Sequence, residues 1–193
     1  MTLPTSSAAE FVVIQDGSAR PNVRSSVSLI RDGEHLIVVD PGMAPSQRAI
    51  LGPLARLGVE PAQVTDVIIS HHHPDHTVNV GLFGEAKVHD HWATYHFDQW
   101  RSRSAEGFSV SPSVVLWETP GHTPQDISTL VGTPDGLVVC THLWWFAEGP
   151  EDDPLAADSG ALHAGRARVL AAHPAMIVPG HGPAFEPTGS TPR

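Results

Sequence analysis

Short apolar runs bounded by Gly, Pro, Asn and Ser dominate the first half of the chain. Such runs predict strands at Phe11–Ile14, Val27–Ile30 and His35–Asp40. The near-continuous apolar character of the third run is typical of a strand that is buried on both faces of a sheet. Asp66–Ser70 and Ala86–His89 predict two further strands.

Helical spacing of apolar residues is confined to a few segments. A helix is expected to begin after Ser46, a candidate cap, and to end at Gly58, and Pro53 should kink or shorten it. A second helix is expected at Gly160–Ala172. Two weaker segments are expected to form a short helix at 77–83 and a helix or an ordered excursion at 92–101.

The second half of the chain follows a similar plan. Strands are expected at Val114–Glu118, Asp126–Val131, Gly136–Cys140 and Met176–Val178. Strands in runs with helices between them, in two similarly built halves, predict an α/β fold with two sheets and helices outside.

Length and composition favour one domain. The 193 residues can bury a full core without disulfides, and no linker divides the chain. We therefore expect a single domain over 1–193 with its core at about 11–186 and a disordered tail from Pro187 to Arg193.

Charge and hydropathy exclude several classes of function. Acidic residues outnumber basic ones 21 to 11, and the formal charge of -10 would repel a phosphate backbone, so a nucleic-acid partner is not expected. Neither a signal-peptide pattern nor a long apolar run is present, which predicts a cytoplasmic protein with no membrane partner. The single cysteine, Cys140, excludes an internal disulfide.

Histidine is unusually frequent, with 13 residues in all. Several of them bunch in a His-x-His-x-Asp-His pattern, formed by His71, His73, Asp75 and His76 directly after a predicted buried strand. Imidazole nitrogens and carboxylate oxygens are ligands that zinc accepts. Two adjacent sets of ligands indicate two metals, and the alternative is a solvated histidine-rich loop.

Two more histidines lie in Pro-Gly-His turns after predicted strands. Glycine beside His122 and His181 permits a backbone that aims the ring inward. Each alone is more often a loop histidine than a ligand. Three occurrences of strand, turn and histidine together favour ligands that converge on one site.

These residues resemble the metallo-β-lactamase-fold hydrolases, whose signature is His-x-His-x-Asp-His followed by single distal histidines. Val38–Gly42 is similar to that family's early strand ending in Asp and Gly, and the resemblance covers about residues 11 to 186. Within the superfamily, Asn79–Phe83 and Pro179–Phe185 look most like the branch that contains metallo-β-lactamase domain-containing protein 1.

The resemblance implies a fold, a set of ligands and a cofactor. The fold would be an αββα sandwich, and the cofactor one or two zinc ions. The first metal would be bound by His71, His73 and His122, and the second by Asp75, His76 and His181. Asp40 would lie beside the ligands and hold one of them, its alternative role being that of an ordinary turn carboxylate.

One position departs from the family pattern. His142 stands after Leu137–Thr141, where the family places a bridging aspartate. A neutral imidazole offers one lone pair and cannot bridge two cations, so His142 should bind one metal or serve only as a structural residue. Loss of the carboxylate makes the site more positive, which favours anionic substrates and lowers the affinity for the second metal. Iron or manganese could then replace zinc.

The chemistry implied is metal-assisted hydrolysis of a small ester, thioester, lactone or phosphoester. A metal-bound hydroxide would attack, and Asp75 would orient it and accept its proton. Trp144, Trp145 and Phe146 would form a substrate wall or, in part, core. A metal-dependent nuclease and a non-catalytic metal-binding or ligand-binding scaffold are the alternatives, and a homodimer is possible.

Overall fold

The computed structural model describes residues 2–193. Its α-helices are α1 (Gln47–Arg56), α2 (Pro74–Thr77) and α3 (Ser159–Ala171), and 3₁₀ turns span Pro61–Gln63 and Val80–Leu82. Its strands are β1 (Glu10–Gln15), β2 (Val27–Asp32), β3 (His35–Val39), β4 (Asp66–Ile68), β5 (Lys87–His89), β6 (Ala93–His96), β7 (Gln99–Ser102), β8 (Ser109–Ser111), β9 (Val114–Glu118), β10 (Ile127–Thr133), β11 (Gly136–Thr141) and β12 (Met176–Pro179).

The strands form two mixed sheets. The first sheet has the order β1-β2-β3-β4-β5-β6-β7, and the second has the order β12-β11-β10-β9-β8. Strands β3, β4 and β5 run parallel to one another, as do β11 and β12, and the remaining pairs are antiparallel. Both sheets thus place the ends of several strands along a common edge.

Four layers are held by three clusters of buried side chains. In β3, Ile37 and Val39 belong to the cluster between the sheets, whereas Val38 packs in the cluster that includes Ile50 and Leu54 of α1. A third cluster joins α3, through Leu162 and Val169, to Trp117 and Val139 of the second sheet. The αββα sandwich expected from the sequence is confirmed.

One local expectation was wrong. Residues 92–101 form the β6–β7 hairpin rather than a helix, because β-branched and aromatic side chains favour a pleated pair and Tyr95 packs on Trp100 with ring centroids 4.7 Å apart. Helix α1 continues through Pro53 to Arg56. Near the end of the chain, the indole of Trp144 donates to the Pro192 carbonyl at 2.9 Å.

The sheet interface also buries the single cysteine. Cys140 is 7% exposed on β11 and belongs to the cluster between the sheets. Burial raises the pKa of its thiol to about 12. Within residues 2–193, none of the helices has the length and apolar content that crossing a bilayer requires.

Candidate metal centre

The sequence-predicted ligands meet at one edge of the two sheets. His71 follows β4, His122 follows β9, His142 follows β11 and His181 follows β12. Each of these strands ends in a short turn, which turns the imidazole toward the space between the sheets. Side chains far apart in the sequence therefore become neighbours, with ring centroids of 5.1 Å for His71–His122 and 4.9 Å for His142–His181.

The first group consists of His71, His73 and His122. Nδ1 of His73 lies 3.1 Å from Nε2 of His71 and 3.1 Å from Nε2 of His122. Two nitrogen ligands of one tetrahedral zinc are about 3.3 Å apart. His73 is exposed while the other two are buried, so a cation held here would be reached from the side of His73.

The second group consists of Asp75, His76 and His181. Oδ2 of Asp75 lies 3.5 Å from Nε2 of His76 and 3.6 Å from Nε2 of His181. Nε2 of His76 is buried and has no hydrogen-bond partner among residues 2–193. A buried lone pair without a partner is costly in a protein but is satisfied by a cation, so this group fits a second metal.

His142 lies between the two groups. Its ring centroid is 4.2 Å from that of His122, 4.6 Å from His71 and 5.0 Å from His76. Its Nε2 lies 3.0 Å from Nε2 of His181, and its buried Nδ1 has no partner within the described residues. A Cβ on Gly180 would come within 2.5 Å of the His142 ring, so glycine is required for this imidazole to fit.

Hydrogen bonds orient three of the ligand histidines through the ring nitrogen that faces away from the centre. Nδ1 of His76 donates to Asp40 at 2.9 Å. Nδ1 of His122 donates to Asp153 at 2.8 Å, and Nδ1 of His181 donates to the carbonyl of Arg24 at 3.0 Å. Each bond leaves the Nε2 lone pair facing the centre, which is the arrangement of metal-binding histidines.

Burial controls the charge state of the cluster. Burial and the neighbouring histidines hold the pKa values of His71 and His142 well below the ordinary value, so both rings are neutral ligands. His76 behaves differently. Burial lowers its pKa, but the Asp40 carboxylate raises it by more, so the net pKa lies above the ordinary value. Burial raises the pKa of nearby Asp126 to about 6, against hydrogen bonds from Thr123.

Asp40 fixes the loop that carries the ligands. Its Oδ1 accepts from the backbone N–H of Ser70 at 2.7 Å, while Oδ2 accepts from His76. Close packing of Gly42 supports the same loop, because a Cβ there would lie 1.7 Å from the carbonyl oxygen of Asp75. His72 points away from the centre and contacts Asp90 at 3.0 Å.

The two adjacent tryptophans have different surroundings. Trp144 is fully buried and packs in the α3 cluster, which corresponds to the core alternative given for these aromatic residues. Trp145 is half-buried, with its ring 5.9 Å from His181 and 6.5 Å from His122.

Sequence reasoning missed Asp153. Its Oδ2 accepts from Nδ1 of His122 at 2.8 Å and from the indole N–H of Trp145 at 3.0 Å. In the sequence it is one of several acids between Glu148 and Asp158, and no local signal separates it from the others.

A cleft of about 590 Å³ opens beside His181. One side is formed by the loop Gly17–Arg20 and the other by Trp145 and Phe146, with prolines at positions 150, 154 and 183. The cleft therefore reaches the second group at His181.

Three arginines, at positions 103, 166 and 168, are occupied by contacts within the protein. Arg166 is fully buried and donates to three backbone carbonyls. Arg168 pairs with Glu106, and Arg103 donates to the carbonyls of Asp90 and Ala93. None of them lines the cleft.

Comparison with known sequences gives a consistent family. The profile of the metallo-beta-lactamase superfamily matches residues 20–172. Metallo-beta-lactamase domain-containing protein 1 of Xenopus laevis is 37% identical over 173 residues, covering 83% of this chain and 71% of that protein. Its Homo sapiens namesake is 38% identical over 157 residues, covering 77% of this chain and 59% of that protein, so the chain spans less than two thirds of the human relative.

Solved structures share the fold at low sequence identity. A metallo-beta-lactamase-like structure from Thermotoga maritima has a TM-score of 0.74 at 20% identity and covers 93% of this chain and 100% of its own. An N-acyl homoserine lactone hydrolase with the product N-hexanoyl-L-homoserine bound at its catalytic metal centre has a TM-score of 0.64 at 20% identity, over 94% of each chain. The chain belongs to the metallo-beta-lactamase superfamily, in the branch of metallo-beta-lactamase domain-containing protein 1.

Proposed function

We propose that this chain is a metal-dependent hydrolase of a small ester, thioester or lactone. The observation that carries the proposal is the convergence of two groups of ligand atoms beside a cleft whose wall includes His181. The lactone hydrolase that shares this fold holds its product at a metal centre, which supports a carbonyl substrate. The formal charge of -10 argues against a nuclease, and Arg20 is the single arginine among the described residues that line the cleft.

The two groups would hold two cations. His71, His73 and His122 would bind the first, and Asp75, His76 and His181 would bind the second. His142 would add a ligand to the second group, because its Nε2 lies only 3.0 Å from that of His181. Divalent cations supply Lewis-acid activation of water and of the scissile carbonyl.

The donor set admits more than one metal. Imidazole and carboxylate ligands suit zinc, and they suit iron or manganese as well. Because His142 brings no negative charge where a carboxylate would bring one, the second cation should bind less tightly than the first.

Asp75 is the group that we assign to proton transfer. It is half-buried, and its Oδ2 lies 3.5 Å from Nε2 of His76 and 3.6 Å from Nε2 of His181. The backbone of Asp75 is held by a bond from the Met43 N–H to its carbonyl at 2.9 Å. Its carboxylate would hold the attacking water and accept its proton as the new bond to carbon forms.

Metal analysis combined with a hydrolysis screen tests the proposal. Purified protein should contain at least one cation per chain and hydrolyse at least one member of a panel of activated esters, thioesters and lactones. Chelation should abolish the rate, and zinc, iron or manganese should restore it. Asp75→Asn should reduce kcat by about 10²–10⁴-fold, whereas the exposed control Asp135→Asn should not.

A protein that binds its metals fully and shows no rate above buffer on any substrate would instead be a scaffold. Hydrolysis that survives complete removal of metal would exclude the assigned chemistry.

A further inference from the structure

A loop on one side of the cleft is tied to a metal-binding histidine. Ser18 and Arg24 exchange two backbone hydrogen bonds of 3.0 and 2.9 Å, which close the loop between them. The Arg24 carbonyl that accepts from Ser18 also accepts from Nδ1 of His181 at 3.0 Å. The base of the loop therefore has a fixed position relative to the second group of ligands.

Close packing reinforces this connection. A Cβ on Gly17 would lie 2.6 Å from the Cα of His181, so the two backbones are in direct contact. The hydroxyl of Ser26 accepts from the Gly17 N–H at 3.1 Å and donates to the Gly182 carbonyl at 3.1 Å. The base of this loop is thus held against the backbone of His181 and Gly182.

The opposite wall is apolar and is fixed in a similar way. The Trp145 carbonyl accepts from the His181 N–H at 2.8 Å, and its indole donates to Asp153. Phe146 follows it along the wall. An extended apolar group between these aromatic rings and the loop would be shielded from water.

Arg20 gives the cleft its charge. Apart from His181, it is the only residue with an ionisable side chain among those described as lining the cleft. The arginine ion pairs within residues 2–193 involve Arg31 and Arg168, so the Arg20 guanidinium is available to a ligand. On a chain of net charge -10, this is a local positive position beside the second group.

We propose that Arg20 binds a carboxylate of the substrate, with the apolar body of that substrate lying against Trp145 and Phe146. The proposal rests on the proposed function, since it names the substrate class of the same site. A guanidinium donates two parallel N–H groups to the two oxygens of a carboxylate. Arg20 should therefore bind a carboxylate more tightly than a neutral group. Arg20 is thereby a specificity-determining residue for esters or lactones that carry a carboxylate away from the scissile bond.

Kinetics with two matched esters test this assignment. The pair is mono-4-nitrophenyl glutarate, which carries a distal carboxylate, and 4-nitrophenyl butyrate, which does not. Arg20→Gln should raise KM for the glutarate ester about tenfold with kcat unchanged, and it should leave both constants for the butyrate ester unchanged. Arg48→Gln, an exposed substitution on α1, is the control and should change neither ester. Equal effects on the two esters, or no effect on either, would overturn the assignment.

A binding measurement separates this proposal from the proposed function. Calorimetry of the metal-loaded protein with adipic acid monoamide and with hexanamide compares a charged ligand and a neutral one without any hydrolysis. Wild type should bind the charged ligand about tenfold more tightly, and Arg20→Gln should abolish the difference. A difference that persists in Arg20→Gln would place the carboxylate on the metals and refute the role of Arg20. Absence of hydrolysis of both esters would count against the proposed function alone.

Discussion

His122 donates from Nδ1 to Oδ2 of Asp153 at 2.8 Å, and the same oxygen accepts the indole N–H of Trp145 at 3.0 Å. One buried carboxylate thus orients a ligand of the first group and a side chain of the cleft wall. Burial raises the pKa of Asp153. Hydrogen bonds from His122, the Leu155 backbone and Trp145, together with the charge of His122, lower it by more in sum, so the net pKa lies below the ordinary value. Asp153 is therefore ionised at neutral pH and acts on both neighbours as an anion.

Substitution of Asp153 should lower the affinity for the first metal without removing any of its proposed ligands. In Asp153→Asn, the loss of charge makes His122 a poorer donor to metal, and affinity should fall about 10–100-fold. Competition with a chromophoric chelator measures this change. Asp152→Asn is the matched control. The Asp152 carboxylate is next in sequence to Asp153, but it is exposed and its hydrogen-bond contact is with His163 at 3.3 Å. Equal affinities in Asp153→Asn and wild type would show that the contact does not tune the metal.

His142→Asp should raise occupancy of the second metal. A carboxylate at this position can bind both cations and lowers their mutual repulsion, which a neutral ring cannot do. Metal per chain after dialysis against metal-free buffer should rise toward two ions. His142→Asn is the control, since it has the size of aspartate without the charge and should not gain metal. Unchanged stoichiometry in His142→Asp would contradict the position that we assign to His142.

Gly42→Ala should disturb the second group by direct overlap. Its Cβ would fall 1.7 Å from the Asp75 carbonyl oxygen, so the segment that carries Asp75 and His76 must shift. Overpacking of this kind costs about 1–3 kcal/mol in the free energy of unfolding. Urea unfolding and metal analysis should both report a loss. Gly81→Ala, where a Cβ meets nothing within 4 Å, should unfold close to wild type.

Acid should weaken the sheet around Asp66. Burial raises the pKa of this carboxyl. Hydrogen bonds from His89, His35 and Thr65 lower it by more, so the net pKa is about 2. Since its folded pKa lies below the unfolded value of 3.8, the contribution to stability is present above about pH 4 and is lost as the pH falls toward 2. The loss amounts to about 2 kcal/mol.

Urea unfolding of chelated protein between pH 6 and pH 2.5 measures this effect. Asp66→Asn should be less stable at pH 6 and should lose less stability in acid, whereas Asp135→Asn should follow wild type. Parallel acid profiles for Asp66→Asn and wild type would remove Asp66 as a source of the dependence.

The sequence made the layers and the ligand cluster predictable for physical reasons. Alternate residues of His35–Val39 pack on opposite faces, which is why a continuous apolar run indicated a doubly covered strand. The convergence of the histidines could be predicted because short-range spacing sets where they point, as in His71 and His73, or because a Pro-Gly turn precedes them, as in His122 and His181. These signals lie within a few residues of the side chain concerned.

Features that depend on long-range contacts were not predictable in the same way. The bond between Asp153 and His122 joins residues 31 apart, and nothing near Asp153 indicates it. Trp144 and Trp145 are identical in type and adjacent, so only the direction of the chain after β11 decides which one is core. The bond from Trp144 to Pro192 joins residues 48 apart, and the composition near Pro192 does not indicate it.

Cys140 gives the protein a built-in reporter. Its thiol lies between the sheets, two residues before His142, and its high pKa makes it unreactive while the sandwich is closed. Alkylation of this single thiol can therefore proceed only when the layers separate. Its labelling rate measures how often the fold opens next to the histidines, and any cation that clamps those histidines should slow it.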